Sequence, residues 1–144
     1  MAKGSDIVSI DLDAAVTRIQ AIVGGVAGIT QAPNDPPDQI STFPFSVCWL
    51  AQATWVLADA TCANADGVIV LEVHWSRTDL ARTISHAMDY CESIPKAVIA
   101  DHDLNSKLDL IREMRGTMGP MLWGTTETFG WHFELAFGGH EVIT

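Results

Sequence analysis

No cluster of basic residues occurs anywhere in this chain of 144 residues, which sets eight Lys and Arg against eighteen Asp and Glu for a net charge of −10. Holding a phosphate backbone rests on Lys and Arg neutralising phosphates, so the composition excludes nucleic-acid binding as the main task. Residence on an anionic membrane surface is excluded on the same ground. Long hydrophobic runs are lacking too. The longest apolar stretch, Ile19 to Ile29, is broken by Gly24, Gly25 and Gly28, and a bilayer span takes roughly 20 residues. The start, Met1 to Asp6, carries one Lys, an early Asp and no apolar core, so no secretory signal is expected. Cys48, Cys62 and Cys91 cannot all pair within one chain and have no CxxC spacing, which points to free thiols in a reducing cytoplasm. The phosphate loops GxxxxGK[ST] and GxGxxG are missing, and so is the hydrolase elbow GxSxG.

What the chain does have is apolar material. Hydrophobic residues make up 48% and charged residues 18%, which suits one folded domain over residues 1–144. A first helix is expected from Asp11 to Val23, with Leu12, Ala15, Val16, Ile19, Ile22 and Val23 on one stripe and Gly24-Gly25 as its stop. Thr30 to Pro44 holds four of the six prolines, and reads as an extended, exposed arm at about 30–44. From Phe45 the period becomes two. Phe45, Val47, Trp49 and Ala51 point one way, and Trp55 and Leu57 continue on a second strand or past a bulge. Asp59 to Gly67 reads as a hairpin loop, and Val68 to Trp75 as a central strand.

A second helix is expected from Ser76 and Asp79 to Pro95, with Leu80, Ile84, Ala87, Met88, Cys91 and Ile94 on its buried face. After a link at Asp101 to Asp103, Leu108 to Met114 is a predicted strand and Arg115 to Gly124 a predicted loop. Thr125 to Phe137 alternates, with Phe129, Trp131, Phe133, Leu135 and Phe137 sharing a face. The order α-β-β-β-α-β-β implies an α+β fold: a mixed, mainly antiparallel sheet with about two helices packed on one face, plus the proline-rich arm.

Chemistry is sparse. Cys48 alternates with residues that read as buried and Cys91 falls on the apolar helix stripe, so packing accounts for these thiols better than nucleophilic catalysis does. Glu72/His74 and His132/Glu134 repeat an i, i+2 pattern on one sheet face, a set with metal-ligand chemistry. A solvated or subunit-facing polar row is the simpler account. Asp35/Asp38 and Asp101/Asp103 lie in segments read as solvated, without the apolar cleft that general acid–base work needs. No catalytic site, cofactor or metal is expected. Five Trp and five Phe, in contrast, are more than a thin domain hides, which marks Trp55, Trp123 and Trp131 as candidate partner contacts.

The order of elements resembles the tail-terminator (tail-completion) proteins of long-tailed bacteriophages. The resemblance is carried by the early helix ending in Gly24-Gly25-Val26-Ala27-Gly28-Ile29, then Pro33 to Pro37 and Phe43-Pro44. It continues through Gly67 to His74, running into Arg77-Thr78-Asp79-Leu80-Ala81, then Ile94-Pro95 and Thr128 to Leu135. It spans nearly the whole chain. It implies a ring, generally of six copies, that caps the head-proximal end of the tail tube in the virion, stops tube polymerisation and docks to the head's connector. The partners it implies are further copies of the chain, the tube protein and the connector or stopper, with DNA only passing through and no membrane. The protein would be made in the host cytoplasm. Interface candidates come from the residues themselves: Pro36, Pro37 and Phe43 in the arm, Trp55, Asp59 and Asp66 around the hairpin, and Met118 and Trp123 in the later loop. A head-side neck or stopper protein fits the same size and charge. A small Cys- or His-dependent enzyme and a host-directed regulator are the readings from other classes.

Overall fold

The computed structural model describes residues 10–29, 32, 43–104 and 110–142. Its elements in chain order are α1 (Leu12–Gly24), β1 (Phe45–Leu57), β2 (Cys62–Ser76), α2 (Leu80–Met88), α3 (Ser93–Ile99), β3 (Leu110–Trp123) and β4 (Thr126–Val142). The fold is α+β. Four antiparallel strands lie in the order β1-β2-β4-β3. One core joins the sheet to all three helices, through Ile19 and Val23 of α1, Ala87 of α2, and Ile94 and Val98 of α3.

Strand alternation decides what faces the helices. Ile69, Leu71, Val73 and Trp75 of β2 meet Leu135, Phe133, Trp131 and Phe129 of β4 in register, as the sequence pattern demands. Phe133, Leu135 and Phe137 are almost fully buried, and each such side chain contributes about 1.5–3 kcal/mol by leaving water. Two of these rings lie over glycines on neighbouring strands. A Cβ on Gly116 would come within 2.7 Å of the Phe133 ring, and one on Gly67 within 2.8 Å of Phe137. Both glycines therefore belong inside strands, where a large aromatic fills the space of the missing side chain.

That arrangement corrects four expectations. Asn64, Asp66 and Gly67 are not in a loop, because β2 starts at Cys62 and the turn shrinks to residues 58–61. Pairing on both sides holds this weak strand former extended. Arg115 to Trp123 is likewise strand, so Met118 and Trp123 sit on β3 and the turn is Gly124-Thr125. Pro120 is tolerated there because β3 is an edge. Phe45 to Leu57 is one strand with an irregularity between Leu50 and Gln52, so Ala51 leaves the alternation of Phe45, Val47 and Trp49. The order is accordingly α-β-β-α-α-β-β.

The expected long second helix is two. Asp79 caps α2 by accepting from Arg82 N at 3.3 Å, while Ser76 ends β2 and its carbonyl accepts from Thr83 Oγ1 at 2.6 Å. Pro95 lies in the first turn of α3 rather than closing a helix, at a level where its missing N–H has no helical partner. The buried residues of α2 are Thr83 and Ala87, and Leu80, Ile84, Met88 and Cys91 are exposed. The small Ala87 lets the helix approach the sheet closely, and its carbonyl accepts from Trp131 Nε1 at 2.7 Å.

The first helix is as expected, with Asp11 accepting from Ala14 N at 3.1 Å. Most of the proline arm, including Pro33, Pro36 and Pro37, lies outside the described residues, as does Leu108. A buried polar pair ties α1 to β1: Gln20 Nε2 donates to Ser46 O at 3.1 Å, and Ser46 Oγ donates to Gln20 Oε1 at 2.7 Å. Gln20→Ala strands both Ser46 groups in the core, and is expected to cost about 1–3 kcal/mol in urea unfolding. In the double variant with Ser46→Ala the two costs should be less than additive.

Candidate functional site

The sheet face turned away from the helices carries the polar residues that the sequence placed together, and the structure joins them. Glu72 of β2 stands between two imidazoles. Its Oε1 is 3.0 Å from His74 Nε2, and its Oε2 is 2.7 Å from His132 Nδ1 across on β4. A carboxylate only accepts, so each of those ring nitrogens carries the proton and donates. His74 Nδ1 is 2.6 Å from Thr128 Oγ1. His132 Nε2 is 3.6 Å from Glu134, an ion-pair distance but too long for a hydrogen bond. Both Glu72 oxygens are thus taken by N–H donors, and among the described residues no group of three or more His, Cys, Asp or Glu is placed to hold a metal.

The row expected to be solvated or subunit-facing is not open along its whole length: the His132 and Glu134 side chains are 35% and 49% exposed, while His74 is fully buried. Trp123 covers it, with ring centroids 6.1 Å apart and edge-on, and stands 6.3 Å from Trp49. Phe45 and Val47 are buried beside it with Phe43 and Trp123 packed against them. Phe43 and Trp123 are therefore half-buried against this cluster, and Trp123 lies at the end of a strand and not in a loop. Met118 packs on the main core. Asp66 is exposed and paired with Arg112 at 2.7 Å, a surface contact of about 0–1 kcal/mol. Asp59 caps the hairpin turn. Its carboxyl accepts from Thr61 N at 2.8 Å and Thr61 Oγ1 at 2.9 Å, and these bonds hold its pKa below the usual value.

Burial by itself would raise the pKa of Glu72, whose side chain is 13% exposed, but the hydrogen bonds from His74 and His132 and their charge outweigh it and the net shift is downward. A depressed carboxylate stabilises the fold above its unfolded pKa of about 4.3, and that contribution is lost as pH falls through the lower folded value. Glu72→Gln is expected to destabilise by about 1–3 kcal/mol at pH 7. The gap to the unmodified chain should narrow as unfolding is measured at pH 5, 4 and 3.

The thiols divide. Cys48 and Cys62 are buried and Cys91 is exposed, which corrects its place on a buried stripe. Burial pushes the Cys48 pKa up to about 12, which suits packing and not nucleophilic attack. Iodoacetamide on the native chain at pH 8 is expected to label Cys91 alone, with all three labelled in denaturant; labelling of Cys48 in the native chain would contradict its burial.

A cleft of about 880 Å³ opens between residues Val26 to Gly28 after α1, Phe43-Pro44 and the side of α2 bearing Arg82 and His86, with Trp75 and Tyr90 in its wall. It brings together none of the sequence-predicted site residues except Phe43.

Trp55, half-exposed at 52%, is the most open of the apolar interface candidates among the described residues. It lies in the second half of β1 with Leu57 at 70% and Val56 also exposed. The residues that sequence reasoning missed are its neighbours. Their signal was present: Phe45 to Leu57 contains no charged residue at all.

No protein-family model matches the chain, and no curated protein matches it.

Proposed function

We propose that this chain is a structural subunit of a homo-oligomeric ring, of about six copies, that caps the head-proximal end of a phage tail tube. In that role it ends tube growth and presents the surface that joins tail to head. The observation that carries the reading is an uncharged edge strand studded with exposed Trp and Leu side chains, in a chain of net charge −10. Such a surface fits contact with protein, since Trp is concentrated where binding energy is. The sequence motifs that resemble the tail-terminator proteins, from Gly24-Gly25 to Thr128–Leu135, support the same reading.

The charge has a use in a ring. Six copies carry a formal −60, and acidic groups toward the lumen repel the phosphates of passing DNA, so that it threads without sticking. The polar ladder of Glu72, His74 and His132 has no chemical step in this role; it makes one sheet face rigid.

Imaging of tagged protein on isolated tails and on whole virions tests the proposal. A single density at the head-proximal end of the tail is the expected result. Label on tail-less heads would instead favour a neck or stopper protein, and no label on any particle would remove the structural role.

A further inference from the structure

Most basic side chains among the described residues are ion-paired. Arg18 holds Asp101 at 2.7 Å, Arg77 holds Glu127 at 3.1 Å, Lys96 holds Glu92 at 3.6 Å, Arg112 holds Asp66 at 2.7 Å and Arg115 holds Glu113 at 3.2 Å. Arg82 is the exception among the described residues: its guanidinium has no carboxylate partner, in a chain where acids outnumber bases by eighteen to eight. It stands in the cleft of about 880 Å³, a volume within the roughly 300–1,000 Å³ of ligand sites. Asp79, Arg82, His86 and Asp89 recur at helical spacing, so one shoulder of α2 turns all four to the cleft. The two acids leave the cation free. The Asp79 carboxyl is engaged by the Arg82 backbone N–H at 3.3 Å, and Asp89 lies about 10 Å farther along the helix axis than Arg82. The rest of the cleft is largely apolar and already formed. Trp75 is buried and Tyr90 stands against it with ring centroids 5.4 Å apart, and Tyr90 Oη donates to Ala27 O at 2.9 Å. Gly28 permits that bond: its φ is +93°, and a Cβ there would run into the Tyr90 hydroxyl.

We infer that this cleft binds an acidic segment of a partner protein, with one Asp or Glu carboxylate on Arg82 and an apolar side chain beside it against Trp75, Tyr90 and Phe43. Arginine presents a planar fork of N–H donors that matches a carboxylate at two points, and walls that are already formed add affinity without an ordering cost. His86, one turn on from Arg82, brings a ring nitrogen to the same side of the helix. The neighbouring charges limit the anion. Asp79 on one side and Asp89 on the other repel a polyanion, so a run of phosphates is disfavoured while a single carboxylate fits between them. The cleft is open along one side, which suits a chain segment passing through it. From Asp79 to Asp89 the helix rises about 15 Å, a length that an extended segment covers in about five residues. The net charge of −10 does not prevent the approach, because charges farther apart than about 8 Å are largely screened and the local cation decides. The contact is independent of the ring proposed above, since it needs only the chain and the segment.

The test is an NMR titration of the full, isotope-labelled chain with a mixed set of capped pentapeptides, acetyl-Gly-X-Glu-X-Gly-amide, where X is Phe, Trp, Leu or Ile. A matching set carries Gln in place of Glu. The Glu set is expected to shift the Arg82 Nε–H and the Trp75 indole signals, and the Gln set to bind about tenfold more weakly, since the charge-assisted bond is lost. In Arg82→Gln the Glu set is expected to bind as weakly as the Gln set does to the unmodified chain. Arg82 is exposed, so its replacement leaves the core intact, and circular dichroism checks the fold. The comparison of the two peptide sets needs no variant at all. Equal binding of both sets, Glu-set binding that survives Arg82→Gln, or no shift of either signal up to about 5 mM peptide would overturn the site. The last arm uses 3-phenylpropionate, a free carboxylate with one ring. It is expected to bind about tenfold more weakly than the Glu set, having fewer contacts; binding as tight would mark a site for small acids and overturn the protein segment as the occupant.

Discussion

The pairing of β2 with β4 is the constraint on which the rest of this molecule depends. It runs without a break from Cys62 opposite Val142 to Ser76 opposite Thr128, at the centre of the sheet. Its register puts Leu71 beside Phe133 on one face and Glu72 beside His132 on the other. A slip of one residue would carry the carboxylate and imidazole row into the helix-side core and turn the aromatic row to the open face. Both faces therefore specify the same register, one by burying apolar area and the other by hydrogen bonds that only this alignment completes. A buried imidazole bonded on both nitrogens, like His74, penalises alternatives more than it adds to stability, since every other alignment leaves its ring nitrogens unsatisfied.

Much of this was legible in the residues. The alternation of Phe129 to Phe137 and of Ile69 to Trp75 gave both central strands and their inward face, and the stripe from Leu12 to Val23 with Asp11 before it gave α1 and its cap. The i, i+2 repeat of Glu72/His74 and His132/Glu134 correctly placed four polar side chains together. What could not be read was set by neighbours in space. Gly67, Gly116 and Pro120 are loop signals by local preference, yet two glycines lie under aromatic rings and the proline sits on an edge. The apolar stripe of α2 was seen, but periodicity does not say which stripe faces the core; Thr83 and Ala87 do, because their small size admits the sheet.

The two edges of the sheet are built differently. β3 carries Arg112, Glu113 and Arg115, Pro120 and a register irregularity between Ile111 and Glu113, the devices that keep an edge from pairing along its whole length. β1 has an irregularity of its own between Leu50 and Gln52, but no charge and no proline over thirteen residues. A chain with eighteen acidic residues has no shortage of gatekeepers, so their absence from one edge is a property of that edge and not of the composition.

That distribution also bears on the proposed ring. Each copy in it would bring a formal −10, and contact would have to offset the repulsion between neighbours. Surface charges farther apart than about 8 Å are largely screened at physiological ionic strength, so the repulsion that matters is the one across the contact itself. Keeping β1 free of acids removes that part, while Asp59 in the hairpin turn and Glu134 on the open sheet face lie outside the edge strand. In that ring the same acids would remain on surfaces left open, where they would repel other polyanions. In the proposed ring an uncharged edge and an acidic remainder are two sides of one arrangement: the first would let copies meet, and the second would determine what the assembled surface keeps away.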